Sequence, residues 1–513
     1  MTAVAESVVL RERRVIVVTV FLTALAGILY ELLLGTVSTL LLGDSILEWS
    51  LTIGVFLSAM GLGSFLSRWV KQRLVGTLVA VQVGLAVLGG LSPLLLFWAY
   101  ALAERSFRGA LVLVLVTLGT GIGLEIPLLT RLLRQRGTLA RALSAALAID
   151  YAGALLASLA FPLVLYPTLG LLRTAMLAGF VNLAAGAALL AGCAREPSRR
   201  RALGASLAGV AVLLALGLAG AARLERAVDR RLYDEPLVWA VTSPYQRIAI
   251  TMDSAPRDMR LFINRHLQFS SRDEERYHEA LVHPALAAAG EPESVLVLGG
   301  GDGLATREIL EHERVRSVVV VDLDPAMTSL ARTYAPLAAL NRRSFSDPRV
   351  RIVNADAMQW LWHAEPGARF GAIVIDLPDP STPGLARLYT RELYRLAARR
   401  LAPGGVLVTQ ATSPYYTRSS FWCIERSVAA AGLATRPYHI SVPSFGEWGF
   451  VLGAQVLPRE LPRPTVQTSY LEGSAWAALF SFPPDMRAAD VGPSTVTNPA
   501  LLALYTSETR REP

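Results

Sequence analysis

Hydrophobic positions follow two different rules along this chain. Up to about residue 224 they form long, almost uninterrupted stretches of Leu, Ala, Val and Gly; beyond it they come in short blocks divided by glycine, proline and charged residues. A bilayer crossing needs about 20 helical residues. Seven stretches are apolar enough: Val15–Leu34, Leu51–Leu66, Leu78–Leu102, Ala110–Leu129, Leu143–Leu165, Leu172–Leu190 and Leu203–Leu218, the second and last being short. A soluble bundle would show polar faces every third or fourth residue, and these stretches do not. A cleaved leader is not expected, because the first stretch is long and others follow it. Residues 1–224 are therefore predicted to be an α-helical multi-pass membrane region of about seven helices.

The second part reads as α/β. Residues 232–290 alternate over short segments, with strands expected at Tyr245–Thr251 and Met259–Ile263 around a turn at Asp253–Arg257, and form a small β unit. From Val295 an apolar strand runs into Gly299, Gly300, Gly301, Asp302 and Gly303, then into a helix-compatible run ending at Leu310. A glycine-rich turn by itself also suits ordinary turns. Here three more strands follow: Val318–Val321 ends in Asp322, Val350–Val353 is followed by Asn354, Ala355 and Asp356, and Ala372–Ile375 ends in Asp376. Asp322 stands a little over twenty residues beyond the first glycine, where a carboxylate accepts hydrogen bonds from ribose hydroxyls. A helix cap after a strand accounts for one such carboxylate but not for all together. Residues 291–457 are thus predicted to form a Rossmann-like parallel sheet with carboxylates along its ligand-binding edge. Further on, Ser381–Tyr389 reads as a loop, Thr390–Leu401 as a helix and Gly404–Thr409 as a strand. The tail, 458–513, is rich in Pro and Ser; packing back and disorder are equally open.

Composition changes this picture little. The mean hydropathy of +0.42 averages two solvents. Cys193 and Cys423 are the only cysteines, so neither a disulfide framework nor a cysteine metal cluster is expected, which fits a reducing compartment. The net charge of +8 comes largely from arginines flanking the apolar stretches, without the aromatic interleaving that marks a nucleic-acid surface. Basic residues gather in alternate connections: Arg11, Arg13 and Arg14; Arg68, Lys71 and Arg73; Arg131, Arg134, Arg136 and Arg141; Arg195, Arg199, Arg200 and Arg201. Gly43–Trp49 and Tyr166–Gly170 carry none, and Arg105 and Arg108 are a partial exception, so the amino terminus is expected in the cytoplasm. Glu31, Glu125 and Asp150 fall inside apolar stretches, where an unpaired charge costs several kcal/mol. They pair locally or line a path for a cation.

The succession SPYQ, LQFSSRDEERYHEALVHPAL, VLVLGGGDG, VVVVDLD, NADA and IDLPDPSTPGLARLYTRELY resembles the aminopropyltransferases, the spermidine synthase-like enzymes, across about residues 235–455. The apolar half resembles a membrane-bound branch of that family. The resemblance implies transfer of the aminopropyl group of decarboxylated S-adenosylmethionine to putrescine or a related amine, giving spermidine and 5'-methylthioadenosine. It implies no metal and no prosthetic group, the donor being a co-substrate. By position, Gly299 and Gly301 leave room for the donor, Asp322 holds its ribose, Asp356 its adenine amino group, and Gln268 and Asp302 the ammonium of the aminopropyl arm. Asp302 makes chemical sense there, because the carboxylate of intact S-adenosylmethionine would be repelled. Asp376 stands in the place of the catalytic base, Tyr277 and Asp379 orient the amine, Ser381–Tyr389 gates the acceptor and Gln410 is the acceptor-side glutamine.

Two runs depart from the family. Phe445 stands where soluble members carry an acceptor-holding tyrosine, with Glu447 and Trp448 close in sequence as substitutes: a carboxylate for the distal ammonium and an indole for a cation-π contact. Ile263–Arg265 replaces the usual Leu-Asp-Gly. The alternatives are an S-adenosylmethionine-dependent methyltransferase, disfavoured by Asp302 and by Asp376 with Asp379, and a polyamine transporter or sensor. The expected partners are the amine, the donor and a lipid bilayer; a homo-oligomer is compatible, and the location is the cell membrane with the catalytic part cytoplasmic. Seven crossings from a cytoplasmic start would put that part outside. The cytosolic donor and the cluster Arg223, Arg226, Arg230 and Arg231 outweigh that count, which requires an interfacial or re-entrant segment or one more crossing.

Overall fold

The computed structural model describes residues 2–42, 46–102, 104–134, 139–193, 197–253, 258–365 and 367–510. It divides into two compact units, Met1–Asp234 and Glu235–Pro513.

The first unit is helical: α1 (Thr2–Leu42), α2 (Ile46–Leu66), α3 (Leu74–Leu102), α4 (Glu104–Arg134), α5 (Leu139–Ala160), α6 (Tyr166–Cys193) and α7 (Pro197–Leu232). Six helices are long and apolar enough to cross a membrane, α5 and α6 counting as one run, Ser144–Cys193. That run is interrupted by the wider turn Phe161–Leu165 and by Gly170, which leaves helical geometry at φ 72°. The second and seventh stretches are not short: their helices span 21 and 36 residues, because charged residues at the ends continue the rod that the apolar count stops at. Bare backbone sets the closest approach. A Cβ on Gly63 would lie 2.0 Å from the carbonyl of Thr120, and one on Gly123 2.0 Å from that of Met60, so α2 and α4 meet through small residues. Gly43, Arg136, Arg195 and the expected turn residues 254–257 lie outside the described residues.

The second unit opens with an antiparallel sheet of β1 (Leu237–Thr242), β2 (Arg247–Met252), β3 (Met259–Ile263) and β4 (His266–Ser270) in that order. Only β2 and β3 were expected. β1 and β4 are no shorter than their respective neighbours β2 and β3; each is fixed by antiparallel pairing, β1 on β2 and β4 on β3. Asn264 and Arg265 form the β3–β4 turn, both at positive φ (49° and 72°), the geometry of a tight hairpin that asparagine tolerates and arginine does not prefer.

After α8 (Glu274–Ala288), β5 (Ser294–Gly299), α9 (Leu304–Leu310), β6 (Ser317–Asp322), β7 (Val350–Asn354), β8 (Phe370–Asp376), β9 (Leu401–Gln410), β10 (Ala434–Val442) and β11 (Gly446–Ala454) build a seven-stranded sheet ordered β10-β11-β9-β8-β5-β6-β7. β7, β6, β5, β8 and β9 are parallel; β11 and β10 close the edge as an antiparallel hairpin. The chain leaves β5 first towards β6 and later returns to its other side with β8, so a crevice opens at the carboxyl ends of β5 and β8. Apolar residues cover both faces, which explains the unbroken Val and Ile runs of β5, β6 and β8. The helix expected at Thr390–Leu401 is Arg391–Ala398, since Leu401 already pairs with Phe370 at the start of β9. The tail packs back: Leu461, Leu471, Trp476 and Leu479 join the core on one face of the sheet and Leu501 joins it on the other.

Candidate active site

The glycine turn is built against its neighbours. Gly299, Gly300 and Gly303 have φ of 82°, 62° and 81°, a region costly for residues with a Cβ. The Gly300 amide donates to the carbonyl of Asp376 at 3.0 Å, and a Cβ on Gly301 would lie 2.5 Å from Asp322 Oδ2. Strand register pairs Gly299 with Asp376. Asp302, Asp322 and Asp376 are therefore brought to one edge, around the point where the strand order reverses. Asp302 Oδ1 accepts the amide of Leu304 at 2.9 Å, and Asp322 Oδ1 accepts that of Asp324 at 2.8 Å.

Burial dominates the electrostatics. It drives Asp302 up to about 6, with the His278 charge opposing and the Asp376 charge assisting. It drives Asp322 up to about 7, against bonds from the amides of Asp324 and Gly301 and with the Asp324 charge assisting. Asp376 is raised by the same burial, countered by His278 and by the phenol of Tyr277, which donates to Asp376 Oδ1 at 2.7 Å. His278 has no place in the sequence-based assignment. Burial works against its charge, yet its Nδ1 lies 2.8 Å from Glu274 Oε2, and that carboxylate lifts it to about 9. Behind it, Arg307 bonds Glu274 at 2.7 Å and Glu308 at 2.7 Å, and Glu308 bonds His283 at 3.0 Å. The run Glu274–Tyr277–His278 signalled this network, because turns of one helix put the three on adjacent positions.

A second group forms beyond β8. Gln410 Nε2 donates to the carbonyl of Leu377 at 2.6 Å and to Asp379 Oδ1 at 3.4 Å, and it also bonds Tyr389, whose hydroxyl donates to Leu377 at 2.8 Å. Asp379 Oδ2 accepts the phenol of Tyr505 at 2.9 Å. Tyr505 belongs to the tail helix Ala500–Thr509, held in place by Glu508, which accepts the amides of Ser419 at 2.7 Å and Ser420 at 3.0 Å. The same helix packs on Pro383–Ala386 of the expected gating loop. Nothing in the local sequence around Tyr505 announces this; only the fold of the tail does.

Three assigned residues stand differently from expectation. Asp356 caps the helix Ala357–His363 through the amide of Gln359 at 2.9 Å and pairs with Arg387 of the gating segment, so it is the carboxylate that the capping explanation fits. Gln268 donates to the carbonyls of His266 and Leu267 in its own strand, and among the described residues no hydrogen bond joins it to Asp302. Glu447 and Trp448 are parted. Successive strand residues face opposite sides; Trp448 lies 6.4 Å from the Tyr277 ring beside Phe445, whereas Glu447 turns away and bonds His439 at 2.8 Å. The expected pairing of carboxylate and indole on one ammonium is therefore corrected: Trp448 reaches the Tyr277 cluster and Glu447 does not.

Comparison with known proteins agrees with this layout. Residues 274–456 match the spermine/spermidine synthase domain. The chain is 43% identical over 509 residues to polyamine aminopropyltransferase 1 of Streptomyces coelicolor, covering 97% of this chain and 95% of that one. It is 44% identical over 503 residues to polyamine aminopropyltransferase 2 of Ralstonia nicotianae (96% and 98% covered) and 40% identical over 509 residues to the polyamine aminopropyltransferase of Mycobacterium tuberculosis (96% of each). These matches run through the apolar first unit as well as the α/β unit.

Proposed function

This chain belongs to the polyamine aminopropyltransferases, and from that premise we propose that it moves the aminopropyl group of decarboxylated S-adenosylmethionine to putrescine or a closely related amine. The observation that supports this is the meeting of Asp302, Asp322 and Asp376 around the glycine turn, with Tyr277 bonded to Asp376. Asp322 takes the ribose hydroxyls, Gly299 and Gly301 admit the donor against bare backbone, and Asp302 takes the ammonium of the donor arm. Asp356, once released by Arg387, reaches the adenine amino group. An alkylammonium has a pKa near 10 and no free lone pair. Asp376, raised by burial, takes its proton; the amine nitrogen then bonds to the carbon next to sulfur, the carbon–sulfur bond breaks, and its electron pair neutralises the sulfonium as 5'-methylthioadenosine leaves. The carboxylates offset the repulsion between two cations held in line. Tyr277, Trp448 and Phe445 wall the acceptor, while Asp379 and Gln410 orient it. Incubating the purified protein with decarboxylated or intact S-adenosylmethionine and a panel of diamines tests this reading; methyl transfer from the intact compound, or no aminopropyl product, would refute it.

Two further results follow. Asp302 and Asp322 titrate near 6 and 7 before the donor arrives. A cationic donor favours their ionised forms, so its binding at pH 6.5 to 7 releases protons, and its affinity weakens as pH falls through that window. Calorimetry in buffers of different ionisation enthalpy reads this directly; binding without proton release contradicts it. Tyr505→Phe removes a bond to a carboxylate worth about 1.5–3 kcal/mol. The acceptor KM should rise about tenfold with the donor KM unchanged.

The apolar unit anchors the enzyme in the cell membrane. The Ser144–Cys193 run, at 50 residues, is about 75 Å of helix against a hydrocarbon core of about 30 Å, so it passes twice and turns near Gly170. The catalytic unit faces the cytoplasm, where the donor is made. With the amino terminus also on that side, one segment lies in the interface or re-enters, or one more crossing exists; reporters fused to both ends decide, and a carboxyl-terminal reporter active only outside the cell rules the placement out.

A further inference from the structure

The helical unit holds a buried polar layer that anchoring does not need. Glu125 of α4 is 2% exposed and accepts from Gln82 Nε2 of α3, itself fully buried, at 2.6 Å. The hydroxyl of Thr23 on α1 also faces this carboxylate, and Asp150 of α5 and Tyr30 of α1 interact with it electrostatically. The close approach of α6 is set by Gly186, where a Cβ would come 3.2 Å from the Gln82 side chain; Asn182, one turn earlier on the same face, is 1% exposed. Thr23, Gln82, Glu125, Asp150 and Asn182 each sit about 12–18 Å along their helices, at 1.5 Å per residue, from Arg11, Leu74, Arg134, Leu139 and Cys193, which adjoin the arginine-rich connections. They form one layer in the half of the apolar slab nearest those connections.

Three buried atoms point to a ligand, two in this layer and one on Tyr30, about two turns beyond Thr23 on α1. Gln82 Oε1, Asn182 Oδ1 and Tyr30 Oη are buried and make no hydrogen bond among the described residues. Each would forfeit about 1–3 kcal/mol if left so. The first belongs to the amide already touching Glu125, so it lies beside the carboxylate. All three can accept; Gln82 adjoins the Glu125 carboxylate directly, and Tyr30 is near enough to feel its charge. A proton satisfies one of them. A primary ammonium, with a full charge and three N–H donors, matches a carboxylate and two neutral acceptors at once.

We propose that the helical unit carries a second polyamine site, in which Glu125 and Gln82 bind one terminal ammonium of an alkyl diamine or triamine, apart from the acceptor site of the α/β unit. This rests on the chain's being a polyamine enzyme only for the choice of amine.

Equilibrium binding of radiolabelled spermidine to the purified full-length chain in lipid nanodiscs tests it, with aminopropyl transfer measured on the same samples. The wild type should bind two equivalents per chain and Glu125→Gln one, while transfer rates stay equal. Gln82→Met, close in volume but without the carbonyl, should weaken the second equivalent about tenfold and serves if Glu125→Gln does not fold. Equal stoichiometry in wild type and Glu125→Gln overturns the proposal, as does one equivalent throughout, which would leave Glu125 holding no more than a proton. Loss of transfer activity in the wild type would instead count against the catalytic reading.

Discussion

Asp376→Asn is expected to lower kcat by about two to four orders of magnitude, the range of a lost general base, with little change in the KM of the donor. The amide keeps the shape of the carboxyl group and can still pair with the Tyr277 hydroxyl, which sits 2.7 Å from Asp376 Oδ1, so the pocket stays assembled. What disappears is the acceptor for the amine proton. Because the ordinary acid limb of the rate profile comes from protonating this raised carboxylate, the variant's residual rate should no longer fall on that limb. Burial raises Asp376 above its usual range, so in the wild type the rate climbs as pH rises through the carboxylate's titration and keeps climbing while the amine deprotonates. Steady-state kinetics from pH 5 to 9 measure both quantities. A variant retaining more than a tenth of wild-type kcat would assign the proton to another group.

The second large effect concerns the donor. Asp302→Asn should weaken decarboxylated S-adenosylmethionine by about ten- to a hundredfold, the worth of a charge-assisted hydrogen bond in a partly dry site. The intact compound, whose carboxylate meets repulsion from Asp302, should lose little or gain. The preference between the two therefore narrows, and competition binding of both compounds to each protein reads the ratio. An unchanged ratio would mean that His278, Asp376 or the shape of the pocket makes the distinction. The neutral residue also removes one of the groups titrating below neutrality, so proton release on donor binding should fall at the same time.

Much of this site was legible because local geometry and chemistry coincide. A glycine that must sit at positive φ announces itself by being glycine, and a strand buried on both faces by its unbroken Val and Ile run. A carboxylate at the tip of such a strand can hardly be anything but paired, capping or functional. Asp302, Asp322 and Asp376 were placed on those grounds, and the capping explanation took Asp356. What local pattern could not carry was long-range pairing. Glu447 and Trp448 are neighbours in sequence, and only strand alternation sends one to His439 and the other to Tyr277. His278 depends on Glu274, and Glu274 on Arg307, more than thirty residues away. β1 and β4 needed their partners to be strands at all. The tail was the hardest case, since its apolar residues are too sparse to form a period and only three-dimensional docking turns Leu461, Leu471, Trp476 and Leu501 into core.

The docking of Ala500–Thr509 has a bearing on how the enzyme is made. The donor cradle, from Gly299 to Asp376, is complete once the first strands of the large sheet have paired, but Asp379 meets Tyr505 only after a further 126 residues have been made. A nascent or prematurely terminated chain would thus hold its sulfonium donor without a finished seat for the amine. Synthesis as far as this helix thus finishes the amine seat, and epitope tags or fusions next to it should be judged by amine KM before any conclusion is drawn from them.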